Sequence, residues 1–229
     1  MDTVVDAICD RHGGTVLDFA HQLRNPLAAL RLRVEALEPL IVESGRGQYA
    51  AAVEDMHHLS RIVDELLVLA RAQACPTAVG RVDVAAVVEH RVEAWRRWAA
   101  QRHITMTTGC RPVLATAAAG TVDQVLDVFL DNALHAAPAG STVTVHCSAG
   151  RRWAEIHVID QGPGMSRRER RRATDRFWRG RTSAAAYHGL GLGLSIAAAL
   201  LHASGGHLRL RAAPGRGLDA TARLPIPGR

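Results

Sequence analysis

The chain has 229 residues, a formal net charge of +6 at pH 7, and a composition that is 48% hydrophobic but only 4% aromatic. Such a length holds one large domain or two modest ones, with a core built mainly from Ala, Leu and Val. No apolar run approaches the ~18–20 residues of a membrane helix, and Met1-Asp2-Thr3 does not begin a basic-then-apolar leader. The expectation is therefore a soluble, cytoplasmic chain, compatible with a membrane sensor located elsewhere.

The basic excess is local. There is no lysine; all 28 basic residues are arginine, and residues 151–181 hold ten of them against four acids, which equals the surplus of the whole chain. A basic segment suits a phosphate ligand as well as a polynucleotide. No reading helix, stacking aromatics or zinc spacing supports nucleic acid, so no nucleic-acid partner is expected. The four cysteines, Cys9, Cys75, Cys110 and Cys147, lie at least 35 residues apart. That spacing makes no metal knuckle or redox pair, and free thiols are expected.

In chain order, residues 1–14 read as a connector weakened by Gly13-Gly14. Thr15 and Asp18 form a capping arrangement that restarts a helix. Val16, Ala20, Leu23, Leu27, Leu30, Val34, Leu37 and Ile41 then follow in alternating steps of four and three, a heptad seam. Ser44-Gly45-Arg46-Gly47 breaks the seam, and Tyr49, Val53, Met56, Ser60, Val63, Leu67 and Ala70 resume it. Two such helices make an antiparallel hairpin over residues 15–74. Its second apolar row, Leu59, Ile62, Leu66 and Leu69, exceeds what two helices can cover. A homodimeric four-helix bundle is the expected solution.

Cys75 to Gly80 reads as part of a linker, residues 75–81, with Pro76 ending the helix. From residue 82 to 229 the pattern changes. Helices are expected over Val84–Gln101, Val122–Ala136, Arg167–Thr174 and Leu192–Ala203. Short strands are expected over Ile104–Thr108 and Pro112–Ala115, and an alternating hairpin over Thr142–Ser148 and Trp153–Ile159. Leu208–Ala212 and Leu218–Leu224 close the set around the turn Pro214-Gly215-Arg216-Gly217. This mixture predicts an α+β two-layer sandwich.

Three stretches of this second domain carry chemistry. Asp160-Gln161-Gly162-Pro163-Gly164 follows directly on a strand. A carboxylate there can accept from an exocyclic amine, and the glycines let backbone approach a flat ring; the same pattern also suits a plain turn. Gly189-Leu190-Gly191-Leu192-Gly193 opens a helix, where free amides suit phosphate oxygens, although tight helix packing uses the same residues. It lacks the preceding strand and the later acid of a dinucleotide fingerprint. Asn132 lies on a mostly apolar helix, where its amide oxygen calls for a partner such as hydrated Mg²⁺.

Taken in order, these stretches resemble the N, G1 and G2 boxes of the histidine kinase ATP-binding domain. Arg176-Phe177-Trp178-Arg179-Gly180 is similar to its F box, and Ala20-His21-Gln22-Leu23-Arg24-Asn25-Pro26 to its phosphoacceptor box. The resemblance covers about residues 15–225 and implies a Bergerat (GHKL) ATP fold behind the dimerisation hairpin. It implies ATP and Mg²⁺ as cofactors, phosphorylation of His21, and transfer to an aspartate on a response regulator receiver domain. By resemblance, Asp160 binds the adenine amine, Gly162 and Gly164 line the base, and Asn132 holds Mg²⁺. Gly189, Gly191, Leu192 and Gly193 meet the phosphates beneath a lid of about residues 166–188, with Arg179 its one phosphate-directed arginine. Asn25, one turn after His21, is the implied phosphatase residue. Pro26 removes an amide hydrogen bond and predicts a bend just beyond His21.

Three positions depart from the family pattern. Gln22 stands where an acid commonly takes the imidazole proton, and an amide is no base. Val128 replaces an earlier asparagine, and His135 replaces a basic phosphate contact. A weakly catalytic or non-catalytic dimeric ATP-binding scaffold is therefore the alternative expectation. An ATPase or serine kinase of the same superfamily is a third, which the His21 hairpin argues against.

Overall fold

The structure is a computed structural model that describes residues 26, 29–30, 32–49, 52–53, 56, 79–180 and 191–228. The chain divides into two compact units, residues 1–75 and 76–229.

In the first unit the described residues correct the heptad expectation. Residues 32–35 are α-helical, but a turn at 36–37 and a 3₁₀ turn at Glu38–Leu40 replace the predicted continuation through Leu37 to Ile41. Pro39 is the cause. It has no N–H to donate, and its ring crowds the carbonyl four residues back, that of Glu35. Leu37 N and Leu40 N accordingly donate to carbonyls three residues back, of Val34 and Leu37, at 3.0 and 2.9 Å. A further 3₁₀ turn covers Glu43–Gly45, and residues 46–49 are already helical, so the connection lies earlier than the expected 44–47.

The second unit is built from β1 (Val79–Asp83), α1 (Val84–Gln101), β2 (Thr105–Cys110), β3 (Leu114–Ala118), α2 (Thr121–Ala136), β4 (Thr142–Ala149), β5 (Trp153–Ile159), α3 (Arg167–Arg172), α4 (Gly193–Ala203), β6 (His207–Ala212) and β7 (Leu218–Pro225). Local chemistry starts its helices. The Asp83 carboxylate accepts from the amides of Ala85 and Ala86 at 3.1 and 3.2 Å, capping α1. Ser166 and Glu169 form a reciprocal capping box on α3.

β2-β4-β5-β7-β6 form a five-stranded sheet in which only the β2–β4 pair is parallel. Alternation along β4 and β5 sends Val143, Val145, Cys147, Ala154, Ile156 and Val158 to one face. There they meet Val88 and Val92 of α1, Leu126, Phe129 and Leu130 of α2, and Ala197 and Leu201 of α4. Each fully buried Val, Leu or Phe contributes about 1.5–3 kcal/mol. The result is the expected two-layer α+β sandwich. One polar contact fixes the helical layer, for Arg91 Nε and Trp95 Nε1 of α1 both donate to Asp127 Oδ1 of α2 at 2.9 Å.

Two further expectations are corrected. The linker at 75–81 gives way at Val79 to strand β1, whose antiparallel partner β3 begins at Leu114 and is distant in sequence. The free thiols expected at Cys110 and Cys147 are instead a disulfide. The parallel register of β2 and β4 sets these two residues directly opposite, with Cα atoms 4.6 Å apart, inside the bridging range.

Candidate functional site

The site is assembled along the last turns of α2. Val128, Asn132 and Ala136 stand four residues apart and so share one face of the helix, spread over about 12 Å of its length. The loop after β5 meets this face at Ala136, and the start of α4 meets it at Val128 and Asn132.

At the Ala136 end, Asp160 is 4% exposed. Its Oδ1 accepts from Gly162 N at 2.7 Å and from Leu218 N at 3.3 Å, while Asp160 N donates to Leu218 O at 3.0 Å. Those bonds leave Oδ2 as the oxygen for a ligand donor. Burial pushes the Asp160 carboxyl above its ordinary value of 3.8, and the two backbone amides act against that rise. A side chain on Gly162 would lie 2.6 Å from the carbonyl oxygen of Ala136, so only glycine allows the loop to close against α2. Behind it stands Gly217, at φ +115°, where a Cβ would run into the backbone carbonyl of Asp160. Gly164 backs onto the same residue, its Cβ position being 2.7 Å from Gly217 O. Asp160, Gly162 and Gly164 are thus interlocked with the β6–β7 turn. Gln161 adds a strut, its Oε1 accepting from Thr142 N at 2.8 Å.

At the other end, Asn132 Nδ2 donates to Val128 O, four residues back, at 2.8 Å. That bond uses the amide nitrogen and leaves the amide oxygen as the hard oxygen ligand. Gly193 opens α4 against this pair; a Cβ there would lie 3.3 Å from Val128 Cγ1 and 3.9 Å from Asn132 Nδ2. Gly191, at φ +73°, backs onto the Trp178 carbonyl, and Leu192 is 1% exposed, its carbonyl accepting from Ser195 Oγ at 2.7 Å. Among the described residues, no group of three or more His, Cys, Asp or Glu could hold a metal ion. A divalent cation here would take Asn132 and the oxygens of its own ligand, as Mg²⁺ commonly does.

The structure therefore brings Asp160, Gly162 and Gly164 together, and Asn132 with Gly193. His135 is held differently: Nδ1 lies 2.8 Å from the Asp131 carbonyl, and the ring packs 5.0 Å from Trp98 of α1. Arg179 is exposed. His21, Gln22, Asn25 and Gly189 lie outside the described residues, as does the 181–188 part of the expected lid. Gly217 and Leu218 were missed in the sequence, where Pro214–Gly217 reads only as a closing turn. The signal was the second glycine, placed next to a strand that must pair with the one leading into Asp160.

The reverse face of the sheet carries a second polar cluster. His146 and His157 stack with centroids 4.4 Å apart and planes within 5°. His157 Nδ1 lies 3.0 and 3.1 Å from the Asp219 oxygens, and Thr221 Oγ1 donates to Asp219 Oδ1 at 3.1 Å. The bond to Asp219 pushes the His157 pKa up. Burial and the neighbouring His157 push that of His146 down. Asp219 lies below its usual value because His157 bonds it, despite opposing burial.

Two family models divide the chain. The His kinase A (phospho-acceptor) domain matches residues 14–75, and the histidine kinase-, DNA gyrase B- and HSP90-like ATPase domain matches residues 118–228. The signal transduction histidine-protein kinase/phosphatase MprB of Mycobacterium sp. (strain KMS) is 34% identical over 231 residues, covering 96% of this chain and 44% of its own. The chain belongs to the sensor histidine kinase family. It spans less than half the length of that relative. Among solved structures, full-length ShkA in complex with AMPPNP is similar with a TM-score of 0.74 and 26% identity, over 94% of this chain and 46% of its own. A mycobacterial sensor histidine kinase MprB structure matches with a TM-score of 0.57 and 27% identity, over 66% of this chain and all of its own. The ATPase match begins at the last residue of β3 and takes in α2, the Asp160 loop, the start of α4 and β7. It thus contains both ends of the site.

Proposed function

We propose that this chain is the catalytic core of a two-component sensor kinase, binding ATP along α2 and phosphorylating itself on His21. The observation that carries the reading is the placement of Asp160 and Gly162 at one end of the α2 face and Asn132 and Gly193 at the other. A buried carboxylate with an available oxygen suits an adenine amine. The start of α4, packed beside Asn132, suits a phosphate chain with its Mg²⁺. The metal supplies charge neutralisation for phosphoryl transfer, with Asn132 as its protein ligand.

His21 lies in the stretch matched by the phosphoacceptor model. A neutral imidazole nitrogen is a competent nucleophile near pH 7. Its lone pair forms the N–P bond to the γ-phosphorus as the bond to the β-phosphate oxygen breaks and ADP leaves. Phosphoryl transfer depends mainly on positioning and electrostatics. Gln22 can orient the ring through a hydrogen bond but takes no proton, so the imidazole proton passes to water or phosphate. The phosphoryl group then moves to an aspartate of a response regulator, and Asn25 positions the water that later removes it.

Dimerisation through the hairpin completes the reading. Leu30, Leu32, Leu37, Leu40 and Val42 are 46–75% exposed in the single chain, apolar surface that a second copy would cover. No helix among the described residues is long and apolar enough to cross a membrane. A core that draws on ATP and meets a response regulator works in the cytoplasm on this reading. The test is incubation with γ-labelled ATP and Mg²⁺, comparing wild type with His21→Gln. Acid-labile, alkali-stable label in the wild type alone is expected. ATP binding without label in either protein would instead select the non-catalytic scaffold, the reading favoured by Val128 packing its side chain on Gly193.

A further inference from the structure

We infer that Cys110 and Cys147 form a redox modification site, a reversible cross-link that staples edge strand β2 to the nucleotide domain. The inference does not depend on the kinase reading. β2 is an edge strand of the five-stranded sheet, paired only with β4 in that sheet, and the two cysteines are register partners at its last residue. Their Cα separation of 4.6 Å lies inside the range a disulfide spans without moving the backbone. Most of the bond is sheltered, since Cys147 is 5% exposed, whereas Cys110 at the strand end is half-buried. Cys110 Sγ is therefore the sulfur a reductant reaches.

The exchange is balanced by a dithiol. One thiolate of the dithiol attacks Cys110 Sγ, the S–S bond breaks, and Cys147 leaves as a thiolate that takes up a proton. The second thiol of the reagent then attacks the mixed disulfide, closing the reagent's own disulfide and releasing Cys110 as a thiol. Two electrons and two protons pass to the protein, and the reverse sequence restores the bond.

The strand has anchors besides the cross-link, since Ile104 and Met106 are buried and β2 pairs with β4 from Thr105 to Cys110, so reduction should leave it in place. It removes the constraint on the unfolded chain across a separation of 37 residues. The cross-link sits at the far end of β4 from Thr142, the residue that Gln161 holds, so stability should respond more than nucleotide affinity.

The test uses the full chain carrying Cys9→Ser and Cys75→Ser, equilibrated with oxidised or reduced dithiothreitol, denatured, and alkylated. No alkylated thiol after oxidation and two after reduction are expected, with the melting temperature of the domain falling by about 5–10 °C on reduction. Adding Cys110→Ser should reproduce the reduced melting temperature and remove its redox response. Two alkylated thiols after oxidation, or a melting temperature indifferent to reduction, would overturn the inference. Thiol counting decides even if the triple variant does not fold.

Discussion

The two ends of the α2 face are built from different material. At the Ala136 end the geometry is made by backbone: Asp160 is held by Gly162 N and Leu218 N, and Gly162, Gly164 and Gly217 admit no side chain. At the Asn132 end it is made by side chains, the Asn132 amide and the Val128 methyls against Gly193. Backbone geometry of the first kind tolerates almost no substitution, whereas side chains of the second kind can be exchanged while the fold stands. The departures from the family pattern fit this division: Val128 stands at the second end, Gln22 next to His21, and His135 is held apart from both groups against Trp98. Affinity for the base and the rate of phosphoryl transfer should therefore be separable.

The largest effect should come from Gly217→Val. A Cβ at φ +115° that overlaps the Asp160 carbonyl costs about 3 kcal/mol or more. ATP titration should show at least a hundredfold loss of affinity, together with a lower melting temperature. Asp160→Asn comes next, keeping the shape but losing a charged acceptor, for about a 10–100-fold weaker Kd. Its pH dependence sharpens the point. On the proposed reading the base is held by the ionised carboxylate, whose pKa lies above 3.8, so wild-type affinity should fall as pH drops through that raised value. The asparagine variant should show no such slope.

Smaller effects are expected around the second end and on the reverse face. His135→Arg restores the basic residue of the family pattern, which on the proposed reading contacts phosphate, at the expense of the Trp98 contact. It should raise the labelling rate by less than about tenfold, with ATP affinity little changed. The smallest effect belongs to His157. Its raised pKa means the bond to Asp219 contributes fully below pH 6.5 and is lost as pH rises through the folded value. Asp219, with its lowered pKa, keeps its own contribution above 3.8 and loses it as pH falls through the folded value. His146, pushed down, opposes folding only on the acid side of 6.5. Melting temperature should decline as pH rises above 6.5 in wild type and stay flatter in His157→Gln. A parallel decline in both would show the stacked pair to be inert.

Local patterns were legible in the sequence wherever neighbours along the chain decide the structure. α1 spans Val84–Gln101 and β5 spans Trp153–Ile159, as periodicity predicts, because their buried faces recur at 3.6 and 2 residues. Asp160, Asn132 and the Gly189–Gly193 stretch stood out because a carboxylate, an amide and a glycine run are uncommon in otherwise apolar surroundings. What escaped depends on distant partners. β1 exists because β3 pairs with it, Gly217 matters because Asp160 lies against it, and Cys110 meets Cys147 through a parallel register that no local spacing encodes. Pro39 was different: its effect on the heptad was readable, but the regular apolar steps around it outweighed a single residue.

The measurement that bears most directly on this division is a single-turnover phosphorylation series over ATP concentration for wild type, Asp160→Asn and Asn132→Ala. Each series yields a half-saturation point and a limiting rate. Asp160→Asn should shift half-saturation by about 10–100-fold with a near wild-type limiting rate. Asn132→Ala should lower the limiting rate by about 10–100-fold and move half-saturation far less. Equal shifts in half-saturation for both variants, or a limiting rate that falls with Asp160 and not with Asn132, would contradict the account.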